Sequence, residues 1–201
     1  MRWTWLAPFA FALFCSSPTP ATAGDVQRSV AARVAIATAK YWRPHYDRPD
    51  AWSAQLWAES RHRVDATSPV GACGIAQFMP ATWAEQLRRA GLPATTSCRD
   101  LVAIEIGAFY MAQLRAYFPI AHDEEERQRM MRAAYNAGPG NIVKARRRCD
   151  AQTWFATKAC LPDVTGRHAL ETIQYVARID ACIAKNANRR IEPLRTRQDA
   201  C

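Results

Sequence analysis

Apolar residues recur three and four positions apart along most of this chain, which is the period of an amphipathic α-helix. Ala, Arg, Gln and Glu, which favour helices, are abundant between the apolar positions. The segments that show this period are 26–42, 51–60, 80–90, 100–118, 123–137, 141–147 and 168–184. The sequence therefore predicts a mainly α-helical fold, with an irregular loop at 61–73.

Local signals predict where several helices begin and end. Asp50 is expected to cap the second helix, Pro80 to begin the third, and Gly91 to end it. An acidic run that starts at Asp123 suits a helix N-terminus, where the backbone dipole favours negative charge. Segment 100–118 is the most apolar and is expected to be the central core helix.

The N-terminus has the layout of a secretory signal peptide. Arg2 precedes an apolar stretch that ends at Cys15, and the small-residue pattern Ala-Thr-Ala closes at Ala23. We expect a signal peptide at 1–23, one domain at 24–185 and a basic tail at 186–201. No later segment offers the uninterrupted apolar run of roughly 18 residues that spans a bilayer. These features predict an exported protein, periplasmic or secreted, without a stable membrane anchor.

The charge of the chain limits its partners. Lys and Arg total 27 and Asp and Glu total 18, which gives a net charge of +9. A basic chain collects near polyanions. For an exported protein these are cell-wall polymers and anionic lipid head groups, whereas export separates it from nucleic acid. We therefore expect no nucleic-acid partner.

Cysteine usage predicts disulfides. Six cysteines follow the signal peptide, and an even number in an oxidising compartment favours disulfide pairing, with 15 possible connectivities. Metal binding is the alternative, but no CxxC or HxxxH spacing occurs. Cys149 and Cys160 bracket one short loop and are the first pair to expect; the others are Cys73, Cys98, Cys182 and Cys201.

Three blocks of sequence carry a resemblance to a known family. The first is Glu59-Ser60 followed by SPVGACGIAQFMPAT at 68–82, the second is AYNAGPG at 134–140, and the third is ETIQYV at 171–176. In this order they resemble the soluble lytic transglycosylase family, whose fold is similar to that of goose-type lysozyme. The resemblance implies a single lysozyme-like catalytic domain that acts on peptidoglycan, without a metal or organic cofactor.

The resemblance assigns Glu59 as the catalytic residue. A carboxyl group in an apolar pocket stays protonated near neutral pH and can donate to a leaving glycosidic oxygen. Most glycosidases need a second carboxylate, whereas the family uses the substrate's own N-acetyl group. Glu59, then a carboxylate, would deprotonate the 6-hydroxyl of N-acetylmuramic acid and close a 1,6-anhydro ring. Taken alone, a helical glutamate is more often a solvated surface residue.

The resemblance also implies a set of residues that contact the sugar. Ser60 has an alternative role as a polar residue at a helix end, and Tyr135 has one as a core aromatic. Trp154, which lies in a late loop, is a candidate platform for a sugar ring. The implied substrate-binding residues are Ser60, Ser68, Gln77, Tyr135, Asn136, Glu171 and Tyr175.

Two rival functions stay open at this stage. One is a hydrolytic muramidase of the same fold, in which a base such as Asp65 activates water. The other is a wall-binding or assembly protein without turnover. The expected partner is the glycan strand of peptidoglycan, bound by a monomer, and the biological setting is either wall recycling or a secretion or conjugation apparatus.

Overall fold

The computed structural model describes residues 23–119 and 123–189. The expected signal peptide, apart from Ala23, lies outside the described residues, as does the tail beyond Arg189 with Cys201. Within the described part no helix is both long and apolar enough to cross a membrane.

Helices form nearly all of the regular structure, which confirms the mainly α-helical prediction. Short 3₁₀ turns follow α4, α7 and α8, and two isolated bridges join Cys73 to Thr67 and Phe78. The α-helices of the described residues are α1 (Ala23–Tyr41), α2 (Pro49–Ser60), α3 (Pro80–Ala90), α4 (Val102–Leu114), α5 (Glu124–Ala137), α6 (Pro139–Arg148), α7 (Trp154–Thr157), α8 (Pro162–Thr165) and α9 (Ala169–Arg189).

Several predicted helix ends are confirmed. Pro80 begins α3, and Gly91 ends it in the left-handed conformation at φ 67°. Asp123 caps α5, because its side chain accepts a hydrogen bond from the N–H of Glu126 at 2.7 Å. Each residue supplies what a helix end needs, namely a fixed φ, a left-handed turn or an acceptor.

The predicted cap at Asp50 is wrong. Helix α2 begins at Pro49, two residues before the predicted start at residue 51, and the fixed φ of proline suits the first helical position. Asp50 therefore lies inside the first turn, where it accepts a bidentate hydrogen bond from the Arg48 guanidinium, with Nη2 at 2.9 Å. At the other end of the chain, α9 continues to Arg189, five residues beyond the predicted segment, since no glycine or proline interrupts it.

In the core, the Trp52 side chain of α2 packs against α4. Trp52 of α2 is fully buried, and its indole N–H donates to the carbonyl of Ile104 at 3.1 Å. A Cβ at Gly107 would lie 2.5 Å from the Trp52 ring, so only glycine lets this ring lie so close to the α4 backbone. The central position predicted for α4 is confirmed, and α2 shares it.

A buried ion network joins α5 to α9. Arg132 is 1% exposed, and it donates to the Asp180 carboxylate at 2.8 Å and to the Tyr46 hydroxyl at 3.2 Å. Breaking a buried pair of this kind is costly, because one charge is then left without its partner. The network fixes the relative position of the two helices that carry Tyr135 and Tyr175.

Two disulfides join segments outside the α-helices in the described residues. Cys149 pairs with Cys160, as predicted, and Cys73 pairs with Cys98. Cys182 is also disulfide-bonded. The prediction that the cysteines serve as disulfides is confirmed for these positions.

Candidate active site

Glu59 lies in the last turn of α2 with its side chain half-buried. The hydroxyl of Tyr175, from α9, donates to Glu59 Oε1 at 2.5 Å. Burial raises the pKa of the Glu59 carboxyl to about 7, against the opposing effects of the Tyr175 hydrogen bond and the Arg178 charge. A carboxyl with this pKa is partly protonated at neutral pH, so it can both donate and accept a proton.

Tyr135 approaches Glu59 from the α5 side. Its hydroxyl donates to the carbonyl of Ala76 at 2.8 Å, and its ring packs on Tyr110 with centroids 5.3 Å apart. Burial, followed by the Glu59 charge, raises the pKa of Tyr135 well above its ordinary value. The phenol is therefore neutral and held in one position beside the carboxyl.

The chain turns sharply directly after Glu59. Arg61 and His62 are both left-handed, at φ 56° and φ 61°, and the buried His62 donates to the carbonyl of Ser53 at 2.9 Å. Such a conformation is rare for residues other than glycine and often marks a functional turn. The hydroxyl of Ser60 donates to the carbonyl of Ile75 at 2.9 Å, which ties the end of α2 to the following loop.

Ser68 and Gln77 both hold the loop that faces the end of α2. The hydroxyl of Ser68 accepts from the N–H of Ala72 at 2.9 Å, and Gln77 Nε2 donates to the carbonyl of Gly74 at 2.8 Å. Gln77 is left-handed at φ 47°. Substrate contacts of Ser60, Ser68 and Gln77 stay predictions, while their hydrogen bonds give each of them a scaffold role.

Residues 97–99 pack against the loop that contains Ser68 and Gln77. Cys73 pairs with Phe78 and with Thr67 through bridges, and its sulfur is bonded to Cys98. Gly74, at φ 76°, lies so close that a Cβ there would be 1.8 Å from the carbonyl oxygen of Cys98. Glycine is required at this position by both the conformation and the contact.

Asn136 and Glu171 line a polar cavity of about 350 Å³ between α5 and α9. The Asn136 Oδ1 accepts from the Thr172 hydroxyl at 2.7 Å, and Glu171 is exposed. Of the predicted set, the structure brings Tyr135 and Tyr175 to Glu59, whereas Asn136 and Glu171 lie in this neighbouring cavity.

A larger cavity of about 710 Å³ opens on the other side of Tyr110. Because Tyr110 packs on Tyr135, this cavity lies next to the residues around Glu59. Amide, guanidinium, carboxylate and aromatic groups share its wall, which suits a carbohydrate with many hydroxyls. Its lining includes Thr82, Glu85, Gln86, Arg89, Gln113 and Tyr117.

No second carboxylate is among the groups of the described residues that shift the Glu59 pKa. Asp65, the candidate base for hydrolysis, has a side chain that is 74% exposed and pairs with Arg63 at 3.5 Å. Nor do the described residues contain a cluster of three His, Cys, Asp or Glu side chains suited to a metal.

Two groups at this site were not among the predicted residues, and one predicted residue lies elsewhere. Gln55 and Arg178 both interact with the Glu59–Tyr175 pair. The available signal was helical spacing, since Gln55 lies four residues before Glu59 and Arg178 three after Tyr175. The proposed sugar platform at Trp154 is wrong, because that side chain is 5% exposed and packs in the core.

Comparison with known proteins gives one family. The transglycosylase SLT domain matches residues 46–155. The chain is similar to membrane-bound lytic murein transglycosylase F of Pasteurella multocida, with 30% identity over 61% of this chain and 25% of that protein. It is also similar to the protein of that name from Stutzerimonas stutzeri, with 28% identity over 59% of this chain and 24% of that protein.

A solved structure of a known lytic transglycosylase shares the fold. It is the X-ray structure of an inactive glutamate-to-glutamine mutant of lytic transglycosylase Slt from Pseudomonas aeruginosa, with 25% identity and a TM-score of 0.58. The match covers 80% of this chain and 24% of that one, so this chain spans about a quarter of the length of its relatives. The expected lysozyme-like fold is confirmed. Because the domain match covers more than half of the sequence, the chain belongs to the transglycosylase SLT domain family.

Proposed function

We propose that this protein is a peptidoglycan lytic transglycosylase that uses Glu59 first as an acid and then as a base. It would cleave the β-1,4 bond between N-acetylmuramic acid and N-acetylglucosamine without water and leave 1,6-anhydro ends. Support comes from the family, from relatives named lytic murein transglycosylases, and from an Slt that a glutamate-to-glutamine change inactivates.

The observation that carries the proposal is one carboxyl with a pKa of about 7 and no second carboxylate acting on it in the described residues. Most retaining and inverting hydrolases use two carboxylates at a defined separation. A single group that changes protonation state suits a reaction in which the substrate supplies the second nucleophile. Asp65, exposed in its loop, does not fit the role of a partner base.

In the first step Glu59 donates its proton to the glycosidic oxygen while the N-acetyl oxygen of the muramic acid attacks its own anomeric carbon. The bond to the leaving sugar breaks, and Glu59 becomes a carboxylate. Tyr175 donates to Glu59 Oε1 and Arg178 is nearby, and both favour that charge.

In the second step the Glu59 carboxylate removes the proton of the 6-hydroxyl, whose oxygen attacks the anomeric carbon. The bond from the N-acetyl oxygen breaks, the acetamide is restored, and Glu59 is protonated again for the next cycle. Atoms balance without water. The opposing effects of burial and the Tyr175 hydrogen bond keep the carboxyl available in both forms.

The remaining predicted residues would shape the cleft around these steps. Tyr135 presents a fixed phenol beside Glu59, and Gln77 and Ser68 hold the loop that closes the site. The 710 Å³ cavity next to Tyr110 offers room for further sugars of the strand, and the smaller cavity with Asn136 would take the other side.

The cellular setting is part of the proposal. An exported protein with a net charge of +9 would accumulate at the anionic cell wall. There it would serve wall recycling, or open a local gap for a secretion or conjugation apparatus.

The test is mass spectrometry of muropeptides released from purified peptidoglycan by wild-type protein and by Glu59→Gln. We expect products lighter by one water than reducing-end muropeptides, and none from the variant. Reducing-end products would overturn the non-hydrolytic mechanism in favour of a muramidase. Binding to sacculi without any release would overturn catalysis in favour of a wall-binding protein.

A further inference from the structure

A row of hydrogen-bonded polar side chains lies along the wall of the 710 Å³ cavity, between α3 and α4. Gln113 Nε2 donates to Gln86 Oε1 at 2.6 Å, and Gln86 is 3% exposed. Arg89 Nη1 donates to Gln113 Oε1 at 3.1 Å, and Arg89 Nε donates to Glu85 Oε1 at 2.6 Å. All four side chains line the cavity, so the Arg89 guanidinium is held at its wall by one neighbour from each helix.

These two contacts use only part of the hydrogen-bonding capacity of Arg89. A guanidinium has five N–H donors, and Nη2 of Arg89 has no hydrogen-bond partner in the part of the chain that the structure describes. The Arg89 side chain is 51% exposed, so a ligand in the cavity has access to it. A guanidinium whose orientation is already fixed loses less side-chain entropy when it binds a further group.

The charges around Arg89 favour a negative ligand. Glu85 accepts hydrogen bonds from Arg88 as well as from Arg89, so two guanidinium groups share one carboxylate and leave a net charge of +1. A carboxylate occupied by two cations has little capacity left for an ammonium group of a ligand. A guanidinium with free donors, in contrast, suits the two oxygens of a ligand carboxylate.

Peptidoglycan carries its negative charges on its peptide. The glycan strand is neutral where its lactyl groups are substituted, whereas the stem peptide on each N-acetylmuramic acid bears free carboxylates. The proposed function would place sugars of the strand beside Tyr135 and Tyr110, and Tyr110 lies at the edge of this cavity. A stem of about five residues extends to about 17 Å, so a stem that starts at this edge can enter the cavity.

We propose that Arg89 binds a carboxylate of the stem peptide and makes the protein selective for stems with free carboxyl groups over amidated stems. This inference deepens the proposed function and rests on it, because it takes peptidoglycan as the ligand. An amide has nearly the shape of a carboxylate, but it lacks the charge and one of the two acceptor oxygens. It therefore loses the two-point contact with the guanidinium.

A purely structural role for Arg89 makes a different prediction. The pair with Glu85 is exposed and contributes little to stability, and the bond to Gln113 links α3 to α4. Loss of these contacts would change the melting temperature by a small amount, whatever the charge of a ligand. A pair of ligands that differ only in their carboxyl groups therefore separates the two roles.

The test is isothermal titration calorimetry of Glu59→Gln, used so that the ligand is not cleaved. The ligands are two short glycans with the same stem peptide, one with free carboxyl groups and one with these groups amidated. We expect the amidated ligand to bind about tenfold more weakly, as for the loss of one hydrogen bond to a charged group. Adding Arg89→Gln should make the two Kd values equal. Equal Kd values without that change, a preference that persists with it, or no binding of either ligand would overturn the proposal.

Arg88 provides a matched control. It donates to the same Glu85 carboxylate, but it is not part of the cavity lining in the described residues. Arg88→Gln removes the same charge one position away, and it should keep the tenfold preference. An equal loss of preference in Arg88→Gln and Arg89→Gln would overturn the proposal in favour of a general effect of positive charge.

Amide NMR spectra of Glu59→Gln locate the bound stem without any change at Arg89. The ligand with free carboxyl groups should shift the signals of Gln113 and Tyr117, which line the cavity, more than the amidated ligand does. Equal shifts with both ligands would contradict a carboxylate site here. If wild-type protein releases no muropeptides, the proposed function fails, while these binding measurements still decide the role of Arg89.

Discussion

Glu59→Gln should stabilise the fold at alkaline pH. The Glu59 carboxyl has an ordinary pKa of 4.5 and a pKa of about 7 in the folded protein, because burial penalises its charge. The folded state therefore binds the proton more tightly than the unfolded state does. The stability that this provides is fully present below about pH 4.5 and is lost as the pH rises through about 7.

The size of the effect follows from the pKa difference. Each pKa unit corresponds to about 1.4 kcal/mol, so ionising Glu59 would cost about 3 kcal/mol of unfolding free energy. Because the side chain is only half-buried and retains some water, we expect about 2 kcal/mol. Glutamine keeps the shape and the acceptor for Tyr175 without the charge, so the variant avoids this cost at pH 8 but not at pH 4.

Urea unfolding at pH 4 and pH 8 measures the difference. Glu59→Gln should match wild type at pH 4 and exceed it at pH 8, while Glu171→Gln, at an exposed position on α9, should show no such pH-dependent gain. An equal effect at both pH values would refute the reasoning, since the gain would then come from packing. No gain at pH 8 would mean that the Glu59 carboxylate is well solvated.

Three further perturbations test the site and its loop. Tyr175→Phe should raise the pKa of the Glu59 carboxyl and, if Glu59 acts as proposed, lower kcat by about 10- to 100-fold in a pH–rate series, which is the contribution of a hydrogen bond to a charge. Replacing Cys73 and Cys98 together by serine should lower the unfolding free energy by about 3 kcal/mol in urea, as expected for opening a loop of 25 residues. Gly74→Ala should lower the free energy of unfolding by more than about 2 kcal/mol. Gly71→Ala should lower it by about 1 kcal/mol, because Gly71 is also left-handed but has open space around it. Equal losses of stability in thermal melts would contradict the close contact at Gly74.

Sequence spacing predicted the helices well because most of their ends carry a local signal. Pro80, Gly91 and Asp123 act through their own backbone or side chain, so no tertiary information was needed. Asp50 failed for a local reason too, since the proline before it begins the helix and leaves the aspartate inside the first turn. Proline and aspartate both favour the start of a helix, and the spacing of apolar residues does not show which of the two begins it.

The site was predicted in part. Tyr175 was expected near Glu59 from the family resemblance, and the structure brings the two together. The hydrogen bonds of Ser60 and Gln77 could not be predicted from the sequence, because they go to the backbone carbonyls of Ile75 and Gly74. Every residue has a backbone carbonyl, so a sequence motif does not show which one will be the acceptor. Such contacts depend on the path of a loop.

In the mechanism proposed above, a single carboxyl acts as an acid and then as a base, and this requires two opposing influences of similar size on its pKa. Burial alone would hold Glu59 protonated and impair the second step, whereas Tyr175 and Arg178 alone would hold it ionised and impair the first. The structure supplies both, and the buried Arg132–Asp180 pair fixes the helices that carry them. The charge on Glu59 lowers the stability of the folded protein above neutral pH. The raised pKa of Glu59 therefore depends on tight packing between α2 and α9. A looser contact between these helices would let water reach the carboxyl and return its pKa toward 4.5.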